Sequence, residues 1–270
     1  MKKKIIGIDL GGTKIAGIIC DINGKNARFL QVPTQAKKGR RFVLEQIFTL
    51  IKELKTGLPR QAIKAIGIGA PGEVLLGKGI VNHPPNLPGW KKVNLKQIVE
   101  RATGIRTLVD NDANAAALGE LKFGAGIGLK NFLYVTISTG IGGGMVMDGK
   151  LYYGIDGTAG EIGHTNTGEK ELRCACGRIG CLEAYASGTG MRKLAKLRLH
   201  RDLDAVALAR LAKAGDRGAK QIIAEAGRLL GIAFANYIDI MNPEAIIIGG
   251  GAAKMGPLLL DPIKQTIKQY

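Results

Sequence analysis

The chain has 270 residues, enough for one large domain or two modest ones, and its 46% hydrophobic and 23% charged content is that of a packed globular protein. Forty glycines without a fixed period exclude collagen; no apolar run reaches the roughly 18 residues that cross a bilayer, and Asp9 cuts the first apolar stretch too early for a secretory leader. The formal charge of +17 invites a nucleic-acid reading, but the cations are scattered over 2–4, 37–41, 91–92 and 192–201 and aromatics reach only 5%, so neither a specific nucleic-acid partner nor a membrane is expected.

In chain order, residues 4–9 (KIIGID) and 15–20 (IAGIIC) read as strands around the glycine turn LGGTK, and a third β run at roughly 27–33 ends at Pro33. Over 41–56, Val43, Leu44, Ile47, Phe48, Ile51 and Leu54 recur at helical spacing until Gly57 and Pro59 stop them. A strand near 63–69 leads into a Gly- and Pro-rich loop through 90, followed by a short helix near 95–103. TLVD (107–110) reads as a buried strand that feeds directly into the Ala-rich helix NDANAAALGELKFG. Strands at 131–137 and 144–148 flank the turn STGIGG, and helices are predicted at 183–198, 203–213 and 216–240. AIIIGGG (245–251) is a strand that runs into glycines, and 257–269 is a last amphipathic helix.

The second half therefore repeats the plan of the first: a β run, a glycine turn, a β run, then helices. This pattern predicts two related α/β domains facing a cleft, 1–111 and 112–256, with the helix at 257–270 packing back on the first domain.

Of four glycine clusters, three carry chemical content. GIGAPG (67–72) matches G-x-G-x-x-G, but Pro71 stands where a helix should present free N–H groups, so a dinucleotide-binding turn is rejected. In DLGGTK (9–14) a strand delivers Asp9 to a turn whose glycines let phosphate approach main-chain N–H groups. Thr13 adds a hydroxyl there, and Asp9 is able to hold Mg²⁺; a plain hairpin turn is the competing reading. STGIGGG (138–144) repeats the device with Ser138 and Thr139, and IIIGGGAA (246–253) is a third glycine cluster at the end of a strand, open enough for a purine base to lie against backbone. Together the three resemble the ATP site of the sugar kinase, Hsp70 and actin superfamily.

Phosphoryl transfer needs an acceptor hydroxyl held in line and a carboxylate to take its proton. Asp112, at a strand–helix junction, suits that role and Asn111 suits sugar hydroxyls, unless both merely cap the helix; Asp110 is the better capping candidate. Further on, His164 with Cys174, Cys176 and Cys181 makes a Cys₃His set, the composition of a closed structural zinc site, with free buried thiols as the alternative. The spacing is not that of a DNA-reading finger, and no basic recognition helix follows. Thiols crowded in this way suit a reducing, cytoplasmic compartment, with Cys20 as a core residue.

DLGGTK, GIGAPGEV, NLPGW, VDNDANAAALGE, STGIGGG, GEIGH, CACGRIGCLE and IIIGGG, in this order across the whole chain, resemble the ROK family (repressor, open reading frame, kinase), and within it the ATP-dependent glucokinases. The resemblance implies two actin-like (ribonuclease H-like) α/β domains that close on a hexose and ATP. It implies Asp112 as the base for the 6-hydroxyl, and Gly72, Asn86, Asn111, Asp112, Glu161, His164 and Glu183 as sugar-binding residues. Asp9, Gly11, Gly12, Thr13, Lys14, Thr139 and Gly140 would surround the phosphates and Mg²⁺, and Gly250 and Gly251 the adenosine. His164 would both ligate zinc and face the sugar. A homo-oligomer, dimer or tetramer, is expected, and the absence of a helix-turn-helix segment before Asp9 argues against a repressor.

Overall fold

The computed structural model describes residues 3–75 and 77–270; Met1, Lys2 and Leu76 lie outside the described residues. The chain divides into two compact units, Met1–Ala116 with Tyr153–Thr158, and Ala117–Tyr152 with Ala159–Tyr270.

The first unit is built on a meander of β1 (Lys4–Leu10), β2 (Lys14–Asp21) and β3 (Arg28–Pro33), antiparallel throughout. Helix α1 (Arg40–Leu54) follows and turns Val43, Ile47, Leu50, Ile51 and Leu54 inward. These positions share one face of a 3.6-residue helix, and each fully buried aliphatic side chain contributes roughly 1.5–3 kcal/mol. The sheet accepts the helix at Gly17, where a Cβ would stand 2.8 Å from Leu54 Cδ1. Strand β4 (Ile63–Ala70) then pairs parallel with β1, as the crossover through α1 requires.

What the sequence reads as a loop through residue 90 contains a small sheet of β5 (Glu73–Leu75), β6 (Ile80–Asn82) and β7 (Val93–Asn94). Asn94 caps α2 (Leu95–Thr103), its Oδ1 accepting from the Gln97 N–H at 3.0 Å, and Gly104 in the left-handed region ends that helix. Strand β8 (Thr107–Asn111) adds parallel to β4, giving the order β3-β2-β1-β4-β8, and runs without a gap into α3 (Asp112–Phe123). GIGAPG proves to be the end of β4 leading into another strand. Its Gly69 serves packing, since a Cβ there would meet Asp112 Cα at 3.4 Å.

The second unit repeats the plan with one strand fewer. Strand β9 (Phe132–Ile137) is buried along nearly its whole length, flanked by antiparallel β10 (Ile141–Met147) and, beyond it, β11 (Lys150–Tyr152). The β10–β11 hairpin turns on Asp148 and Gly149, at φ of 50° and 72°, the left-handed pair that suits the strand twist. After the helices, β12 (Ala245–Gly249) pairs parallel with β9, giving β11-β10-β9-β12. Each unit encloses its own core, and a meander extended by a parallel strand in both is the actin-like architecture.

Four helices precede β12: α4 (Leu182–Ala186), α5 (Gly188–Leu199), α6 (Ala205–Lys213) and α7 (Arg217–Met241). The single helix predicted over 183–198 is two, because Ser187 leaves helical geometry and its Oγ accepts the Gly190 N–H at 3.0 Å, capping α5. The last helix, α8 (Pro257–Ile267), corrects another expectation: it belongs to the second unit. It packs on α7 where Gly227 and Gly231, one turn apart, leave a groove for Pro262 and Thr266. The first unit extends through Ala116 rather than ending at 111, and it also holds Tyr153–Thr158. Among the described residues no helix is long and apolar enough to cross a membrane.

Candidate active site

The β1–β2 turn in the first unit is closed by the Gly11 N–H donating to Lys14 O at 3.0 Å. Gly12 is glycine for space: a Cβ there would interpenetrate Asn86 Cβ and stand 3.2 Å from the Asn86 carbonyl oxygen. Gly12 and Asn86 are thereby brought together. Asp9 is the next-to-last residue of its strand, at the lip of the turn, where desolvation pushes its carboxyl above the ordinary range despite the opposing pull of Lys14. A residue with no local motif to mark it, Thr34, holds the turn from behind. Thr34 is fully buried; its N–H donates to Thr13 O at 2.9 Å and its Oγ1 to Gly11 O at 2.6 Å. With their carbonyls pinned, the turn residues keep one backbone orientation.

At the β8–α3 junction the structure changes one assignment. Asn111 caps α3: its Oδ1 accepts from the Ala113 N–H at 2.9 Å and the Asn114 N–H at 3.2 Å, while its Nδ2 donates to Gly72 O at 3.0 Å. Gly72 sits at φ 79° with Pro84 Cα 2.8 Å from where a Cβ would be, so only glycine fits there. Asp110, expected to cap, instead takes the Asn111 N–H on Oδ1 at 2.7 Å and the Tyr153 hydroxyl on Oδ2 at 2.7 Å. Burial, and then that bond to Asp110, push the Tyr153 hydroxyl well above its usual pKa. Asp112 is the first residue of α3, solvent-exposed, with Oδ1 accepting from the Ala113 N–H at 2.8 Å. Its carboxylate is held at the positive end of the helix dipole.

In the second unit, the turn between β9 and β10 is closed by the Ser138 N–H donating to Gly140 O at 2.8 Å. The start of α5 supports it, with the Gly188 N–H on Ser138 O at 2.8 Å and the Thr189 N–H on Thr139 O at 3.2 Å. Glu183 Oε2 accepts the Ile141 N–H at 2.9 Å and lies so close to Gly140 that a Cβ would overlap it. Gly250, at φ 86°, presses on the Ile137 backbone at the end of β9, whereas Gly251 has open space around it.

His164, Cys174, Cys176 and Cys181 come together in this unit, their ligand atoms all within 4.8 Å of one another. Cys174 Sγ stands 3.7 Å from His164 Nδ1, and Cys176 Sγ 3.6 Å from Cys181 Sγ. A tetrahedral zinc with Zn–S of about 2.3 Å and Zn–N of about 2.0–2.1 Å requires separations of about 3.6–3.8 Å, which these two pairs show, and three thiols with one imidazole are the donor types that ion takes. No disulfide joins these thiols. Because Nδ1 faces the thiols, His164 Nε2 turns the other way, 3.9 Å from Glu161 Oε2. Glu183 Oε1 lies 3.9 Å from Cys174 Sγ, so this one carboxylate touches both the cluster and the 138–140 turn. Cys20 is buried apart from the cluster, a core residue.

Comparison with known proteins places this geometry among relatives. The model of the ROK family matches residues 5–270. A glucokinase of Halalkalibacterium halodurans is 38% identical over 282 residues, covering 98% of this chain and 85% of that protein. A glucokinase of Thermotoga maritima is 37% identical, with 100% and 88% covered. The crystal structure of a ROK family glucokinase from Streptomyces griseus in complex with glucose and AMPPNP superposes with a TM-score of 0.86 at 33% identity, over 98% of this chain and 89% of that one.

Proposed function

Since the chain belongs to the ROK family, we propose that it is an ATP-dependent hexose kinase that phosphorylates the 6-hydroxyl of glucose. The observation that carries this reading is the β8–α3 junction, which fixes an exposed carboxylate, Asp112, beside an asparagine tied down by three hydrogen bonds. In the reaction the 6-hydroxyl oxygen bonds to the γ-phosphorus, the bond from that phosphorus to the β,γ-bridging oxygen breaks, and ADP departs. The hydroxyl proton passes to Asp112, the general base.

The remaining residues position and neutralise. Asn111, Glu161, His164 and Glu183 hold the pyranose hydroxyls, with Gly72 and Asn86 shaping the loop beside them. Gly11, Gly12, Thr13, Lys14, Thr139 and Gly140 receive the phosphates, and Gly250 and Gly251 the adenosine. Mg²⁺ accompanying the nucleotide neutralises charge on the phosphates, and Asp9, a hard oxygen donor, would hold it directly or through water. Zinc at the closed Cys₃His site would leave no open position for substrate and would fix the His164 ring with Nε2 free for a sugar hydroxyl. Such thiolates suit a reducing cytoplasm. The first unit carries 20 Lys and Arg against 9 Asp and Glu, a net +11 of the chain's +17, which attracts an anionic nucleotide.

A hexose panel with Mg²⁺-ATP in a coupled ADP assay tests the reading. Glucose should give the highest kcat/KM; preference for fructose, mannose, N-acetylglucosamine or N-acetylmannosamine would reassign the acceptor. Glucose binding without any hexose-dependent ADP release would replace the enzyme with a sugar-sensing protein.

A further inference from the structure

Ile141, the residue that leaves the 138–140 turn, is bonded at its N–H and closely approached at its carbonyl. Its N–H is taken by Glu183 Oε2 at 2.9 Å. Its carbonyl oxygen lies so close over Gly163 that a Cβ there would overlap it. Gly163 directly precedes the ligand His164, and Glu183 follows the ligand Cys181 by two residues. The chain from Cys181 continues through α4 into the start of α5, whose Gly188 and Thr189 N–H groups hold the carbonyls of Ser138 and Thr139. Beyond the turn, β10 is packed by the same segments: a Cβ at Gly143 would stand 2.7 Å from Gly160 O. Every polar contact described for this turn, apart from its own closing bond, therefore comes from a segment anchored at the Cys₃His cluster.

We propose that the metal cluster and Glu183 set the geometry of the 138–140 phosphate turn, so that metal loading governs nucleotide affinity in the absence of sugar. Glu183 is here a positioning residue with a divided carboxylate, Oε2 toward the turn and Oε1 against Cys174 Sγ of the cluster. A metal tying His164 to Cys181 holds Gly163 and Glu183 at fixed separation about Ile141; without it the two segments are free to part and the turn loses its support. This inference rests on reading residues 138–140 as a phosphate turn.

The test is calorimetric titration of a non-hydrolysable ATP analogue with Mg²⁺, without hexose, into zinc-loaded protein, chelator-stripped protein and zinc-loaded Glu183→Ala, with metal content measured for each. Losing this half-buried charge-assisted hydrogen bond, or the support behind it, predicts analogue affinity about tenfold weaker in both altered forms. Glu183→Gln, which keeps an acceptor for Ile141, should restore most of it. Unchanged affinity in folded stripped protein, or in zinc-loaded Glu183→Ala should stripping unfold the chain, overturns the inference. If zinc-loaded wild type binds glucose but no analogue, the phosphate reading of the turn fails and this inference with it.

Discussion

Gly231 and Gly119 both lie inside helices, yet the same change to alanine should act in opposite directions. Alanine is favoured over glycine in a helix interior by about 1 kcal/mol. At Gly119 on α3 an added Cβ meets nothing within 4 Å, so Gly119→Ala should realise most of that gain. At Gly231 on α7 the Cβ would stand 2.5 Å from Thr266 Cβ, 2.9 Å from Ile263 O and 3.0 Å from Thr266 Cγ2. Two of those atoms are the backbone oxygen and branched Cβ of α8, which cannot rotate away, so the helices must part by most of an ångström. Overpacking of this kind costs about 1–3 kcal/mol; set against the propensity gain of about 1 kcal/mol, it leaves Gly231→Ala up to about 2 kcal/mol less stable. Thermal melts followed by circular dichroism should show the midpoint rising by about 2–4 °C for Gly119→Ala and falling by a similar amount for Gly231→Ala. If Gly231→Ala stabilises as Gly119→Ala does, α8 is not seated in the α7 groove.

Three further outcomes follow from the site. Asn111→Ala should lose about 1 kcal/mol through the missing α3 cap and raise KM for glucose, whereas Asn111→Asp keeps the cap but not the bond to Gly72; stability and KM measured on both separate the two roles. Glu244 accepts the N–H groups of Asn131 and Lys130 at 2.6 and 2.7 Å, and these bonds hold its carboxyl below the usual value. A depressed folded-state pKa gives stability that is full above about 4.5 and is lost as pH falls through the lower value. Glu244→Gln should therefore be less stable than wild type at pH 7, with the gap in urea midpoint closing under more acidic conditions. Metal analysis should return close to one zinc per chain, removable only with a loss of thermal stability; a value near zero in folded protein refutes the Cys₃His assignment.

Much of the architecture was legible because its signals are local. The strand–turn–strand repeats, the buried run of β9 and the apolar stripes of α1 and α7 each follow from spacing within a few residues. The Cys₃His cluster was legible for the same reason, all four ligands falling between 164 and 181. What escaped depends on partners distant in sequence. The apolar stripe of α8 announces that the helix packs, not that its groove is made by Gly227 and Gly231. Thr34 looks like an ordinary residue after Pro33 until its two bonds to the β1–β2 turn are seen. Tyr153 reaches Asp110 across 43 positions, which leaves the cap to Asn111. Two local signals were present but not used: Asp148 followed by Gly149 is a hairpin turn that predicts β11, and Ser187 with two following glycines marks a helix restart.

The central claim is that Asp112 takes the proton from the sugar hydroxyl. Single-turnover kinetics of Asp112→Asn, paired with glucose titration of the same protein, addresses it directly. The account predicts a loss of at least about a hundredfold in the chemical step with glucose affinity within a few-fold of wild type. Turnover at the wild-type rate in a protein that binds glucose normally would contradict it.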